Sequence, residues 1–165
     1  MTAETQKYRP EEALRVLRGA GLFKGLSDTA LQSVVEVAQS VNVPAGESLF
    51  EEGDAGDAFY DMAYGVMALV KTVPGGGEEK LAVRRAGDAF GEMAILNDAP
   101  RSATARAVED SQLLRVPRED FESLLGGDGL SLRMLKALST ALRALDVRFV
   151  HLEHKFLSAS QASGS

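Results

Sequence analysis

Between Ser40 and Val116 the chain never runs far without a turn-forming residue, and this limits its fold more than any other property. Short runs rich in Val, Leu, Phe and Tyr alternate there with clusters of Gly, Pro and Asp. Strands are predicted around Val41 and Val43, around Leu49 and Glu51, and at Phe59 to Tyr64, Val66 to Thr72, Lys80 to Arg84, Thr104 to Val108 and Gln112 to Val116. Pro74-Gly75-Gly76-Gly77 reads as a flexible hairpin tip. Many short strands divided by turn signals predict a sandwich or a jelly-roll barrel.

The flanks have a different period. Residues 1 to 9 are polar and read as loose. Pro10-Glu11-Glu12 opens a helix, with proline and acids in the first turn; Leu14, Val16 and Leu17 supply its apolar face. Ser27 reads as the N-cap of a second helix, with Leu31, Val34, Val35 and Ala38 at helical spacing. After Val116, Pro117-Arg118-Glu119-Asp120 introduces a helix that carries Phe121, Leu124 and Leu125 and stops at Gly126-Gly127. A long helix is then expected over roughly Gly129 to Leu157. Its stripe of Leu135, Leu138, Leu142, Leu145, Phe149, Leu152 and Phe156 keeps an a/d repeat to its end. A helix packed only on its own barrel drifts toward 3.6 spacing, so the strict repeat favours a homodimer, with Arg148 and Glu153 meeting across a parallel interface. The tail from Ser158 to Ser165 reads as disordered.

Phe90 to Ala105 is the stretch that carries chemistry. Gly91 lets the backbone approach closely. Glu92-Met93-Ala94-Ile95-Leu96 makes a short helical turn whose free N–H groups favour an anion. Pro100 fixes the chain before Arg101, whose guanidinium can hold two phosphate oxygens at once. Ser102 adds a hydroxyl and a backbone donor. Glu92 repels phosphate but can accept from a ribose hydroxyl. Together they suit a sugar phosphate.

Gly91-Glu92-Met93-Ala94 followed by Pro100-Arg101-Ser102-Ala103-Thr104 resembles the phosphate-binding cassette of cyclic nucleotide-binding domains, found in bacterial catabolite activator proteins, protein kinase A regulatory subunits and cyclic nucleotide-gated channels. A second stretch supports the match: Pro44-Ala45-Gly46-Glu47, then Glu52-Gly53-Asp54-Ala55-Gly56-Asp57-Ala58-Phe59-Tyr60, then Gly65. The resemblance runs roughly from Leu22 to Phe156. It implies an α+β, mainly β fold: an eight-stranded jelly-roll barrel over about 40–116, with short N-terminal helices and a long C-terminal one. It places phosphate and ribose on Gly91, Glu92, Met93, Ala94, Arg101, Ser102 and Ala103. The base would lie against Leu69, Leu81 and Val83, with the long helix as a cap and Arg143 the candidate capping residue. Family members selective for cyclic GMP often carry threonine, and cyclic AMP binders alanine, where this chain has Ser102. The expected ligand is cyclic AMP, with cyclic GMP as the alternative.

Other classes fit poorly. The 165 residues suit one domain. A net charge of −6 argues against direct nucleic-acid binding. With no cysteine there is no disulfide, thiol catalysis or thiolate metal site. No apolar run nears the roughly 18 residues of a membrane span, and the polar N-terminus lacks the core of a signal peptide, so a cytoplasmic protein is expected. His151 and His154 lie outside the predicted barrel and read as a solvated helix face, so neither a metal nor an enzyme of the metal-dependent jelly-roll kind is expected. No helix-turn-helix follows the long helix and no kinase motif is present. The expectation is a stand-alone sensor that signals to an effector protein by moving its C-terminal helix. The alternatives are a ligand-free structural dimerisation module and the regulatory fragment of a larger protein.

Overall fold

In the computed structural model, residues 5–126 are described, and all of them fall in one unit, 1–130. The expected long helix with its heptad stripe, His151, His154, the candidate Arg143 and the polar tail lie outside the described residues.

The order of elements is β1 (Thr5–Lys7), α1 (Pro10–Gly19), α2 (Asp28–Val37), β2 (Gln39–Val43), β3 (Ser48–Phe50), β4 (Ala58–Tyr64), β5 (Val66–Thr72), β6 (Glu78–Arg85), β7 (Ala89–Phe90), α3 (Glu92–Leu96), β8 (Thr104–Ala107), β9 (Ser111–Pro117) and α4 (Arg118–Leu125). The strands form two antiparallel sheets. One has five strands in the order β1-β2-β9-β4-β7, and the other has four, β3-β8-β5-β6. This is the mainly-β architecture that the turn-punctuated sequence predicts.

Alternation along the strands fills the space between the sheets. Val41 and Val43 of β2, Tyr60 and Met62 of β4, Phe90 of β7 and Leu113 of β9 meet Met67 of β5 with Ala105 and Ala107 of β8. Residues one step out of phase on the five-stranded sheet are buried as well, because helices cover that face. Phe59 of β4 stacks on Phe121 of α4 at 4.8 Å between centroids and meets Phe23 edge-on at 5.9 Å. The helices start as their sequences dictate: Pro10 opens α1 with Glu11 and Glu12 in its first turn, and the Ser27 hydroxyl accepts from the Ala30 amide at 3.2 Å to cap α2. The buried face of α1 centres on Ala13 and Leu17, four residues apart, rather than on Leu14 and Val16.

Two strands lie outside the runs read from sequence. The N-terminal segment is ordered, not loose: Thr5–Lys7 pairs antiparallel with Val41–Gln39 and closes the edge of β2. Tyr8 anchors it. Its ring is buried, and its hydroxyl donates to Gln112 Oε1 at 3.2 Å. A single aromatic contact with a residue more than a hundred positions away leaves no local signature. The other addition, β7, has only two residues and pairs with Tyr60 and Asp61.

Asp61 conflicts with its surroundings. On the helix-covered side of β4 it is fully buried, and neither carboxylate oxygen has a hydrogen-bond partner among the described residues. Burial pushes its pKa up to about 8; the Met62 amide offsets part of this and the Asp88 carboxylate adds to it. In the unfolded chain the same group titrates near 3.8. Between those values the folded state binds more protons than the unfolded one, so stability falls as pH rises through the window and levels off above it. The slope is at most about 1.4 kcal/mol per pH unit. Asp61→Asn is expected to remove this fall. In urea denaturation at pH 5 and pH 8.5 the variant should gain on the parent at the higher pH, and a parallel response of the two proteins would refute the assignment.

Candidate functional site

Beyond β7 the chain makes a short detour before it re-enters the sheet at β8. Gly91 caps α3 with φ of 89°, a left-handed conformation that side chains resist. The turn after α3 needs another positive φ, 47° at Asp98. Backbone bonds hold the segment to the loop after β3: the Gly53 amide donates to the Arg101 carbonyl at 2.9 Å, and the Arg101 amide to the Asp54 carbonyl at 2.8 Å. That loop presses on α3 so closely that a Cβ on Gly56 would stand 2.6 Å from the Ala94 Cβ.

The Arg101 side chain runs inward from this loop and is only 3% exposed. Nη1 donates to the Gly91 carbonyl at 2.9 Å, and Nη2 to the Ala58 carbonyl at 2.7 Å and to Asp57 Oδ1 at 3.2 Å. The guanidinium carbon lies 4.2 Å from the Phe50 ring centroid, a cation–π contact. Nε is buried with no hydrogen-bond partner among the described residues. The second oxygen of Asp57 accepts from Arg115 Nη2 at 2.8 Å. Burial raises the pKa of Asp57, but Arg115 and Arg101 outweigh it and hold the carboxyl below its ordinary value.

These elements enclose one side of a cavity of about 90 Å³. Gly91, Glu92, Met93 and Ala94 line it from the start of α3, and Arg101, Ser102 and Ala103 from the return strand. All seven cassette residues singled out in the sequence therefore meet at one place. Burial raises the pKa of Glu92, although its own backbone amide, Arg84 and Arg101 each work to lower it. Glu92 is thus a desolvated carboxylate near two cations.

The opposite wall only partly matches expectation. Leu69 lines the cavity; Leu81 and Val83 do not. In the ladder between β5 and β6, Met67 faces Arg84 and Leu69 faces Ala82, whereas Val70 faces Lys80, which leaves Leu81 as the extra residue of a bulge. The inward positions of β6 are therefore Ala82 and Arg84, and Leu81 is 42% exposed. Phe50, Arg84 and Phe90 complete the lining. None of these three is among the pocket residues that the sequence points to, and no apolar signal leads to Arg84. Only the strand register does.

The left-handed glycine before the short helix and the buried arginine ten residues later thus meet on one cavity lined by strands of both sheets. The family model for the cyclic nucleotide-binding domain matches residues 40–128. The chain belongs to this family. Among curated proteins it is 36% identical to a cyclic AMP receptor protein from Thermus thermophilus over 146 residues, 88% of this chain and 66% of that one. It is 34% identical over 127 residues to a cAMP-dependent protein kinase regulatory subunit from Emericella nidulans, 76% of this chain and 29% of that one. The crystal structure of the Thermus thermophilus catabolite activator protein superposes with a TM-score of 0.73 at 36% identity, covering 80% of this chain and 62% of that one. The chain thus spans from under a third to about two thirds of the length of these relatives.

In this cyclic nucleotide-binding domain Gly91 has two independent reasons to be glycine. A Cβ there would lie 2.8 Å from Arg101 Nη1 and 3.3 Å from the Ala58 carbonyl, and φ is left-handed. Gly91→Ala is expected to lose about 1–2 kcal/mol from the backbone conformation alone and more from displacing Arg101. The urea midpoint measures the loss, and a midpoint within error of the parent would contradict the local geometry.

Proposed function

We propose that the protein is a sensor of cyclic nucleotide, with cyclic AMP as its ligand. The observation that carries this reading is the convergence of Glu92 and Arg101 on one cavity, one a desolvated carboxylate and the other a buried guanidinium. Arg101 supplies charge to the cyclic phosphate, with Ser102 and the amides of α3 beside it. Glu92 accepts from the ribose 2′-hydroxyl. Leu69 and Phe50 give the ligand apolar surface. The names of the relatives support cyclic AMP as the first choice: one is a cyclic AMP receptor and the other a cAMP-dependent kinase subunit. Among the described residues no group of three or more His, Asp or Glu stands close enough to hold a metal, and no helix is long and apolar enough to cross a membrane. We assign the chain no catalytic step.

Isothermal calorimetry with cyclic AMP tests the reading. Cyclic AMP should bind, and its 2′-deoxy analogue should bind more weakly by about 1–3 kcal/mol, because a charged acceptor loses its donor. Glu92→Gln should shrink that difference. The raised pKa of Glu92 adds a pH signature. The carboxylate is the accepting form, so affinity should fall as the pH drops into the range just above that of an ordinary glutamate, and the fall should vanish in Glu92→Gln. An unchanged 2′-deoxy penalty in the variant would place the ribose elsewhere.

The sensor reading also includes an output. We place it in residues 129–157, outside the described part of the chain, where the heptad sequence supports a homodimer and Arg143 is the proposed cap on the base. Movement of that segment would carry the signal to an effector protein. Phe149 occupies a central a position, so Phe149→Glu should turn a dimeric parent into a monomer that still binds nucleotide. Sedimentation velocity of both proteins decides this, and a monomeric parent would refute the dimer.

A further inference from the structure

Ser102 is held from outside the cavity by the loop after β3 and by the end of β5. The Gly53 amide fixes the Arg101 carbonyl, the one that precedes Ser102, at 2.9 Å. The carbonyl of Ser102 itself accepts from Lys71 Nζ at 2.9 Å. Lys71 also donates to Glu52 Oε1 at 2.8 Å, and the second oxygen of Glu52 accepts from the Thr72 amide at 3.1 Å. The Glu52 amide completes the set by donating to Thr104 Oγ1 at 2.9 Å. Ser102 lines the cavity; Lys71 and Glu52 stand outside that lining.

Lys71 keeps 46% of its side chain in solvent, and an ion pair so exposed contributes little to stability. What it does fix is orientation. A peptide is planar and trans, so its N–H points opposite to its C=O. With the Arg101 carbonyl turned to Gly53, the Ser102 N–H is turned away from that loop. With the Ser102 carbonyl turned to Lys71, the plane of the next peptide is set as well. The two backbone torsions of Ser102 lie between these planes, so anchoring both leaves the residue little freedom. The anchor is ionic on both sides: Lys71, and after it the Thr72 amide, hold the Glu52 carboxyl below its ordinary pKa.

We propose that Lys71, braced by Glu52, is a positioning residue of the nucleotide site, which orients Ser102 so that its amide and hydroxyl face the phosphate. This inference rests on the phosphate reading of the previous subsection. In this role Lys71 needs no contact with the ligand, because its ammonium is engaged by Glu52 and by the Ser102 carbonyl. Two consequences separate it from a residue that merely supports the fold. Affinity should depend on Lys71 far more than stability does. The effect should also be confined to the phosphate, since Glu92 and the ribose are not tied to this pair.

Calorimetry on the full 165-residue chain with cyclic AMP, paired with urea denaturation, is the test. Lys71→Met should weaken cyclic AMP by about tenfold while its urea midpoint stays close to that of the parent. Lys71→Arg keeps a charged donor and should recover affinity to within about threefold. Glu52→Gln leaves the ammonium without its brace and should show the same pattern to a smaller degree. The two phosphorothioate diastereomers of cyclic AMP, each with sulfur in place of one exocyclic oxygen, report on the donors at the phosphate. The parent should discriminate between them and Lys71→Met should do so less, with the 2′-deoxy penalty unchanged. Parent-like affinity in Lys71→Met would overturn the proposal. A lowered midpoint with an unchanged diastereomer ratio would overturn it as well, because the pair would then serve the fold alone. A parent that binds no cyclic AMP, or an Arg101→Ala variant that binds it as tightly as the parent, would instead remove the pocket reading itself, and this inference with it.

Discussion

The site depends on one buried cation. Arg101 lies almost wholly out of water, where an uncompensated charge is expensive. Its compensation comes from three acceptors in two parts of the chain: the Asp57 carboxylate and the adjacent Ala58 carbonyl at the start of β4, and the Gly91 carbonyl at the cap of α3. Each acceptor is a position constraint. The guanidinium can be satisfied only if the cassette and the chain that enters β4 are in register, so one side chain fixes how the two segments meet.

The same economy of partners explains the electrostatics around it. Asp57 divides its oxygens between Arg101 and Arg115, and that pairing keeps it ionised against the pull of burial. Glu92 has no hydrogen-bonded cation among the described residues, so desolvation prevails and its pKa rises. Two carboxylates with similar neighbours thus shift in opposite directions, and the deciding difference is whether a guanidinium is close enough to share a proton. A carboxylate tied to an arginine serves structure. One held near cations but bonded to none keeps its accepting capacity for something else.

Much of this was legible in the sequence. The turn-punctuated runs mark seven of the nine strands among the described residues, because alternation and glycine placement are local properties that a fold must obey. The cassette was legible for the same reason, since the left-handed turn at Gly91 and the arginine ten residues on are both written within one short segment. What was missed is non-local. The strand at Thr5–Lys7 depends on Tyr8 reaching Gln112, which no pattern near the N-terminus announces. Leu81 and Val83 fall outside the cavity lining, because a bulge residue sets the in–out phase of β6 and cannot be seen without its partner strand. Arg84 was overlooked on the same count. Asp57 stands within a glycine-punctuated motif, but its role as a shared counter-ion depends on Arg115, which only the paired strands bring beside it.

β4 is buried on both faces, with Tyr60 and Met62 in the inter-sheet core and Phe59 and Asp61 under the helices. Tyr60 lies in the aromatic group around Arg101, its ring 5.6 Å from the guanidinium carbon, and the adjacent Phe59 bears the stack with Phe121 of α4. The cavity side of the domain and its helical layer are therefore separated by a single peptide unit. A strand packed on both sides has no slack: it cannot roll to suit one neighbour without disturbing the other. Whatever tightens around Tyr60 is felt at Phe59 by covalent geometry alone, with no relay of intervening side chains. The molecule behaves here less like a chain of levers than like a thin partition with a tenant on each side.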